Sequence, residues 1–296
     1  MPIVVVEAVA PVATWRASEA LTYHRTLPLP PYTALVGMLG AALGLGLKEV
    51  YQYVEERALR LGVGGWHEGQ GRDLWKFQKL ESIAEGKEIK SDVLLREFWT
   101  DIHLALVIEA PDTATAEVVA GAYRRPAFPL TAGPSDALMK AVDVRVEEVQ
   151  SMPTRRLAYA QVFEAVPPLY VLAESMDQIP LSRIIRAPTV ERLPTGFAFE
   201  PDQPRRLEGR ALVTFVADPI ELDEGVEPVI GYPIEPRSRA LLGSFTYHSI
   251  KRGTPWIIPV HRYDSRTSPP PSSSTTPSPS GKTRPRASKS SPTGTM

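Results

Sequence analysis

The spacing of apolar residues predicts alternating strands and helices in the first part of the chain. Residues 2–10, PIVVVEAVA, are rich in β-branched side chains and predict a buried strand. An irregular loop over 11–31 ends in LPLPP and leads to a helix over 32–47, which has prolines at its entrance and no polar face. A second, amphipathic helix is predicted at about 48–60.

The middle of the chain is richer in strand patterns. Residues 61–92 mix Gly, Trp and charged residues and are interpreted as an exposed excursion with irregular strand character. Residues 93–109 predict one or two strands, of which HLALVIEA has the clearest alternation. A short helix at about 113–121 precedes a loop, a turn or short helix, and a strand over 142–149.

Residues 151–264 predict a β-rich region in which Pro-rich loops separate strands such as GRALVTFVA and PWIIPVHRY. For residues 1–150, the order strand, helix, strands, helix, strand matches an α+β fold of the ferredoxin-like or RRM-like βαββαβ type. In that fold the helices cover one face of an antiparallel sheet. The other face is expected to be free to bind a ligand, and RNA is a frequent ligand there.

Composition narrows the class of protein. The 296 residues are 43% hydrophobic and 23% charged, as expected for a globular protein. The chain contains no cysteine, which excludes disulfides, thiolate zinc sites and cysteine nucleophiles. The N-terminus lacks the basic region of a signal peptide, and the longest apolar segment is shorter than the roughly 20 residues that span a bilayer. We expect a cytoplasmic protein without a membrane segment.

The net charge of −1 conceals an asymmetry. Residues 265–296 are rich in Ser, Thr and Pro and contain five basic residues and no acidic one. Without those five, 28 Lys and Arg stand against 34 Asp and Glu, so the rest of the chain has a net charge of about −6. The tail predicts disorder. It is either a dispensable extension or a basic segment for nucleic acid.

A group of aromatic and basic residues lies in the loop before the apolar helix. Its members are Trp15, Arg16, Tyr23, His24, Arg25 and Thr26. Aromatic rings and guanidinium planes stack on unpaired bases, Arg and Thr also bind phosphates, and a nearby helix N-terminus favours anions. This first group is a candidate RNA site, although an ordinary solvated loop has the same composition.

Two further groups have related chemistry. Arg124 and Arg125 are suited to clamp phosphates, and Ser135 with Asp136 is typical of a turn or of the N-cap of a short helix. The excursion contributes Trp66, His67, Arg72, Trp75, Lys76 and Lys79. Rings in such a segment contact bases or a partner, or else they form a small local core with a solvated rim.

Glycines Gly37, Gly40 and Gly44 share one face of the predicted apolar helix. Each costs about 1 kcal/mol of helix stability relative to alanine. Their alignment predicts close packing of that face, either inside the protein or against a partner's backbone.

Motifs for catalysis are not found in the sequence. The five histidines have no metal-ligand spacing, and no nucleophile elbow or phosphate-binding Gly loop occurs. Metal-free RNA cleavage requires a general base and a cation at a ribose 2′-hydroxyl. His24 with Tyr23 and Arg25 is the one local set with those groups. We expect no metal, no cofactor and no enzyme activity.

The segment RTLPLPPYTALVGMLGAALGL resembles the N-terminal signature of the CRISPR-associated Cas-five family, which are RAMP-superfamily subunits of type I Cascade complexes. The matching residues are Arg25, Thr26, Pro28, Pro30, Pro31, Gly37, Leu39, Gly40, Ala41 and Gly44. Two later segments, LLREFWTDIHLALVIE and FPLTAGPSDALMKAVDV, resemble further family blocks. The resemblance is good over 1–150, loose over 150–264, and subtype B-like in character.

The resemblance implies an RRM-like domain that caps the 5′ end of the guide RNA. It implies binding to the repeat-derived 5′ handle of the crRNA, contacts with the Cas-seven backbone and Cas-eight large subunits, and an indirect contact with target DNA. The family's thumb would correspond to residues 62–92 and would hold the handle–guide junction. Residues 131–133 and Pro134 depart from the family pattern, so an RNA contact at Ser135 is less secure.

One subfamily cuts precursor guide RNA with a Tyr and a Lys-His pair. No adjacent Lys-His occurs in this chain, so the resemblance does not transfer that catalytic role. The leading hypothesis is therefore a non-catalytic RNA-binding subunit, with a separate Cas-six nuclease. The alternatives are a metal-independent endoribonuclease that processes precursor crRNA, and a protein–protein adaptor without RNA contact.

Overall fold

The computed structural model describes residues 1–17, 23–78, 91–157, 159–163, 188–200, 205–217, 220–222, 227–235, 237 and 256–262. The predicted tail at 265–296 and parts of the predicted β-rich region over 151–264 lie outside the described residues. The described part is a mixed α+β structure with few helices and a mostly antiparallel sheet.

The helices are α1 (Tyr32–Leu43), α2 (Leu47–Glu56) and α3 (Thr113–Arg124). The strands are β1 (Pro2–Ala13), β2 (Tyr23–His24), β3 (Arg60–Gln78), β4 (Ser91–Glu109), β5 (Lys140–Glu148), β6 (Met152–Thr154), β7 (Arg156–Leu157), β8 (Ala160–Phe163), β9 (Thr189–Ala198), β10 (Arg206–Val216), β11 (Ile220–Glu221), β12 (Val229–Ile234), β13 (Trp256–Ile258) and β14 (His261–Arg262). Among the described residues no single helix is long and apolar enough to cross a membrane. Helices α1 and α2 reach the required length only together, with a bend of 99° between them.

The main sheet has the strand order β5–β1–β4–β3–β8–β10–β9. Strands β3 and β4 pair along their whole length, from Arg60 opposite Glu109 to Gln78 opposite Ser91. The short strand β2 pairs with β4 in parallel, and β14 pairs with β3. Strands β8, β10 and β9 continue this sheet beyond β3, whereas β11 pairs with β7, and β12 pairs with β6 and β13, in two separate small sheets.

Helix α1 packs against neighbours on several sides, which explains why its sequence lacks a polar face. Its side chains share one core with α2, α3 and the inner face of the sheet. Leu193, Val213 and Phe215 bring β9 and β10 into this core, and both β3 and β9 contact α1. A helix that is apolar all round is stable only when it is enclosed in this way. Each fully buried Leu or Val side chain contributes about 1.5–3 kcal/mol by leaving water.

The opposite face of the sheet is covered rather than free. Here the sheet forms a second core with the C-terminal region. The sheet contributes Ile3, Val5, Trp66, Ala105 and Val107, and the C-terminal region contributes Tyr159, Tyr232, Ile234 and Ile258. Two buried carboxylates of this layer are paired: the Tyr232 hydroxyl donates to Glu109 at 2.6 Å, and Arg145 Nη1 donates to Glu7 at 2.6 Å. The expectation of an open RNA-binding face is therefore wrong, because β12 and β13 pack on it.

The three glycines of α1 do not form one packing stripe. A Cβ atom at Gly37 would meet nothing within 4 Å, whereas one at Gly40 would lie 3.2 Å from the Leu45 carbonyl oxygen. Gly44 ends the helix with φ +77°, a left-handed conformation that L side chains disfavour. The helix therefore ends four residues before the predicted boundary at 47. A Cβ at Gly44 would lie 3.0 Å from the Ala127 Cβ, so Gly40 and Gly44 are closely packed and Gly37 is not.

Strands β3 and β4 form a two-stranded ribbon whose environment changes along its length. The ribbon base, residues 60–67 and 102–109, is mostly buried, whereas the distal ribbon, residues 68–78 and 91–101, is mostly exposed. The prediction that residues 61–92 form an exposed excursion is therefore wrong for residues 61–67. Residues 68–78 are exposed as predicted, but they form a regular strand, and residues 79–90 lie outside the described part of the chain.

Residues 131–138 adopt the turn alternative rather than a short helix. Thr131 bridges to Leu138, and the Ala132 N–H donates to the Ala137 carbonyl at 2.7 Å. Gly133 has φ +115°, and a Cβ there would lie 1.9 Å from the Thr14 carbonyl oxygen. Only glycine tolerates this approach, so the turn lies directly against the end of β1.

Candidate nucleic-acid interface

The loop between β1 and α1 is anchored against the distal ribbon, where β2 pairs with β4. The Thr26 hydroxyl accepts a hydrogen bond from the Trp15 N–H at 2.9 Å. The Leu27 N–H donates to the Trp15 carbonyl at 2.7 Å, and Trp99 Nε1 donates to the Leu27 carbonyl at 2.7 Å. These bonds hold the loop backbone in place without a ligand.

Glu97 is a buried carboxylate that joins the loop to the ribbon. The Tyr23 hydroxyl donates a short hydrogen bond to its Oε1, and the Thr26 N–H donates to its Oε2 at 3.3 Å. The Arg72 guanidinium lies 3.4 Å from Glu97 Oε1 and 5.8 Å from the centroid of the Tyr23 ring. The hydrogen bond to Glu97 raises the pKa of Tyr23 above its usual value, so this hydroxyl stays protonated at neutral pH.

The other face of the ribbon carries a second set of contacts. Arg96 makes a two-pronged ion pair with Asp73, at 3.0 and 2.6 Å, and its guanidinium lies 5.7 Å from the centroid of the Trp75 ring. The His24 ring lies 5.7 Å from the Trp75 ring. Arg96 also lies 3.8 Å from Asp136 of the 131–138 turn, so this turn borders the same site. The hydrogen bond from Arg96 lowers the pKa of Asp73.

The structure divides the first group into buried and exposed residues. The buried members are Trp15, His24 and Thr26. The partly or fully exposed members are Arg16, Tyr23 and Arg25. The buried residues anchor the loop, and a contact between them and RNA stays a prediction. Burial, together with the cations Arg16 and Arg96, lowers the pKa of His24. The Arg25 guanidinium contacts Glu191 of β9 at 2.5 Å.

The predicted thumb residues lie in different parts of the ribbon. Trp66 is 5% exposed and belongs to the second core, and half-buried His67 stacks on Trp99 with ring centroids 3.7 Å apart. Trp66 therefore belongs to a core that the sheet shares with C-terminal strands, and His67 packs on a ring of the neighbouring strand. Exposed members are Arg72, Trp75 and Lys76 of the distal ribbon. Lys79 lies outside the described residues, and a thumb over 62–92 remains a prediction.

The residues of the second group, Arg124, Arg125 and Ser135, also lie in different parts of the structure. Ser135 is exposed in the turn that borders the loop. Arg124 lies at the end of α3, where its Nε donates to the Val144 carbonyl and its Nη1 lies near Glu117, both at 3.3 Å. In the described part of the chain, no contact joins Arg124 or Arg125 to the loop. These two arginines therefore lie outside the candidate interface.

The sequence analysis missed several residues of this site. Glu97 and Arg96 are the residues that tie the loop to the ribbon, and exposed Leu74 and Leu95 lie opposite each other on the face that carries Tyr23. Period-two alternation in GRDLWKFQ and VLLREFW is a signal that would have paired these strands. The partnership between Glu97 and Tyr23 had no sequence signal, since 74 residues separate them.

The exposed part of the site combines cations with partly exposed rings. The face that carries Tyr23 has the cations Arg72 and Lys76, and Trp75 lies on the opposite face of the ribbon. The loop adds the exposed cations Arg16 and Arg25. Cations on a surface with stacking rings suit a single-stranded nucleic acid. Among the described residues, no three His, Asp or Glu side chains come together as a metal site.

Comparisons with known proteins identify the family of the chain. A family model described as "CRISPR-associated protein (Cas_Cas5)" matches residues 3–166, a range that contains the loop, the ribbon and the turn. No curated protein matches the chain. Among solved structures, a chain of a "CRISPR RNA-guided surveillance complex" is 16% identical, with 83% of this chain and 99% of that chain covered and a TM-score of 0.47. A CRISPR protein from Archaeoglobus fulgidus is 11% identical, with 88% and 100% covered and a TM-score of 0.41.

Proposed function

Because this chain belongs to the Cas5 (Cas-five) family of CRISPR-associated proteins, we propose that it is a non-catalytic subunit of a type I surveillance (Cascade) complex. In this proposal it binds the 5′ handle of the crRNA in the cytoplasm. It also contacts the Cas-seven backbone and Cas-eight large subunits, and through them it meets target DNA indirectly. The family assignment supports a role in a CRISPR complex. The proposals of RNA binding and of a non-catalytic role depend on the geometry of the loop and the ribbon.

One observation carries the RNA-binding proposal: the loop and the distal ribbon converge on Glu97. Tyr23, from the loop, and Arg72, from the ribbon, both contact this carboxylate. Their ring and guanidinium planes remain partly exposed, which suits stacking with unpaired bases. The same loop carries two exposed cations that suit phosphates, Arg16 and Arg25, of which Arg25 also contacts Glu191.

The same geometry supports a non-catalytic role. A general base must reach the ribose 2′-hydroxyl. The pKa of Tyr23 is raised and its hydroxyl is engaged by Glu97, and the His24 ring is 6% exposed. Arg25, the cation of the set, is paired with Glu191. Tyr23 and Arg25 therefore contact different carboxylates, and His24 is buried. The three side chains are not directed at one ribose 2′-hydroxyl, which disfavours the endoribonuclease alternative.

We also infer that residues 1–150 are a ferredoxin-like unit. Its four long strands, taken in chain order as first to fourth, are β1, β3, β4 and β5, and they lie in the order fourth, first, third, second. All neighbouring pairs among them are antiparallel, and α1 and α3 pack on one face. This arrangement supports the βαββαβ prediction.

The test uses the full chain and a fluorescently labelled repeat RNA from its own CRISPR locus, in EDTA. Fluorescence anisotropy measures affinity, and a denaturing gel of the same samples detects cleavage. We expect binding without cleavage. The double variant Arg16→Ala/Arg25→Ala should weaken binding by about tenfold and reduce the salt dependence by about two phosphate contacts.

A matched control is Arg206→Ala, which removes a guanidinium that is 76% exposed on β10, in a different part of the sheet. This variant should bind RNA like the unmodified chain. Site-specific cleavage in EDTA would support the endoribonuclease and overturn the non-catalytic role. Equal RNA affinity for the double variant and the control would instead favour a protein–protein adaptor.

A further inference from the structure

A groove lies beside the end of α3, and Leu130 and Leu138 at the two ends of the 131–138 turn are part of its lining. Its volume is about 330 Å³, at the small end of the range of binding pockets. The walls are largely apolar and include Pro126, Pro129, Leu130, Leu138 and Met139. Arg124 and Lys140 complete the lining on the polar side.

Backbone hydrogen bonds hold the walls of this groove in place. The N–H groups of Ala127 and Phe128 donate to carbonyls of α1, both at 3.0 Å. The Met139 N–H donates to the Leu130 carbonyl at 2.9 Å, which closes the 131–138 turn. A groove whose walls are fixed in advance binds a ligand with a smaller loss of conformational entropy.

The mouth of the groove exposes apolar surface beside unpaired positive charge. Leu138 of the lining is 58% exposed. Lys140 of the lining is exposed, as is Arg125, which lies between the lining residues Arg124 and Pro126 along the chain. Neither the Arg125 guanidinium nor the Lys140 ammonium has an ion pair within the residues that the structure describes. Since the chain excluding the tail has a net charge of about −6, this is a local basic rim on an acidic protein.

We propose that this groove docks a short segment of a protein partner in which an apolar side chain is flanked by carboxylates. The apolar side chain would fill the groove, and the carboxylates would pair with Arg125 and Lys140. A protein segment fits better than RNA because the ring in the lining, Tyr123, is 2% exposed and offers no face for stacking. The inference deepens the proposed function, since a subunit of an assembly requires protein contacts.

The absence of cysteine allows a direct test. The full-length Leu138→Cys variant is labelled with benzophenone maleimide and co-expressed or mixed with the crRNA and the proteins encoded beside it in its CRISPR locus. After irradiation, mass spectrometry identifies the cross-linked segment. We expect a partner-protein peptide with an apolar residue next to Asp or Glu. A cross-link to RNA, to a second copy or to this chain itself would overturn the proposal, as would no cross-link.

Charge reversal beside the groove provides a quantitative test of partner binding. Arg125→Glu/Lys140→Glu should reduce co-purification of that partner by about tenfold. The control Val118→Glu adds a carboxylate at a residue of α3 that is 56% exposed and is not part of the groove, and it should leave co-purification unchanged. Equal loss in both variants would contradict the groove. RNA anisotropy on the chain with an intact groove separates the two proposals. Absence of RNA binding together with a cross-link to the partner protein overturns only the RNA role, and RNA binding without a cross-link overturns only the groove.

Discussion

The ribbon base and the distal ribbon are built from the same two strands in continuous register, yet they have opposite roles. In the base, Trp66 lies between sheet and C-terminal strands, stacked on His103 with ring centroids 4.8 Å apart. In the distal ribbon, Leu74 is 74% exposed and Trp75 is 37% exposed. Strand pairing alone does not decide whether an aromatic residue is structural or available to a ligand. The layers that pack on the pair decide it.

Glycines mark this change of role. Gly62 and Gly64 in the base allow other backbone segments to approach β3, since a Cβ there would lie 1.9 Å from the Pro259 carbonyl oxygen and 2.8 Å from that of Tyr159. At Gly69 in the distal ribbon, a Cβ would meet only the Thr100 hydroxyl. Close backbone approach to the base leaves no room for a ligand there.

The largest expected effect comes from truncating a ring in the base. Trp66→Ala should lower the free energy of unfolding by about 3–5 kcal/mol, because it opens a cavity between the sheet and the C-terminal strands. Leu74→Ala removes an exposed apolar side chain and should change the free energy of unfolding by less than about 0.5 kcal/mol. Urea denaturation followed by circular dichroism measures both. Similar losses in the two variants would contradict the division of the ribbon.

A methyl group added at each glycine tests the same division more finely. Gly62→Ala should destabilise by about 1–3 kcal/mol, because the new Cβ collides with the backbone at Pro259. Gly69→Ala should be nearly neutral, since the Thr100 side chain can rotate away. Thermal unfolding of both variants provides the comparison. A neutral Gly62→Ala would mean that residues 259–260 do not press on the base.

Within the ribbon, RNA affinity should respond to the distal part and not to the base. Arg72→Ala and Trp75→Ala should each weaken binding of the labelled repeat RNA by roughly 1–3 kcal/mol, the contribution of one stacked base. His67→Ala, near the base, is the matched control and should leave affinity within about twofold once the protein is folded. If the control loses as much affinity as Trp75→Ala, the distal ribbon is not the specific contact.

The smallest expected effect is on pH dependence. Burial lowers the pKa of both His103 in the base and His24 beside the distal ribbon. Below about pH 6.5 the unfolded chain therefore binds more protons at these positions than the folded chain, so the free energy of unfolding falls as the pH drops below that value. The double variant His24→Gln/His103→Gln should lose part of this slope between pH 7 and 5. An unchanged slope in urea denaturation would contradict the burial of both rings.

Local sequence patterns were enough to predict the elements that depend on neighbours along the chain. The β-branched run at 2–10 became β1, and the apolar alternation before residue 109 became β4. The start of α3 also has a local cause, because the Asp112 side chain accepts a hydrogen bond from the Thr115 N–H at 2.8 Å. Each of these features involves residues that are close in sequence, so the pattern and the structure share one cause.

The amino-acid sequence by itself determined that the apolar helix had to be enclosed and that an aromatic, basic loop preceded it. Tertiary structure alone decided which rings stay exposed. Trp66 is buried by Tyr232 and Ile258, which follow it by more than 150 residues, whereas Trp75 lies beyond the reach of that layer. Burial depends on which distant segments meet, and hydrophobic packing is non-directional, so no local pattern encodes it.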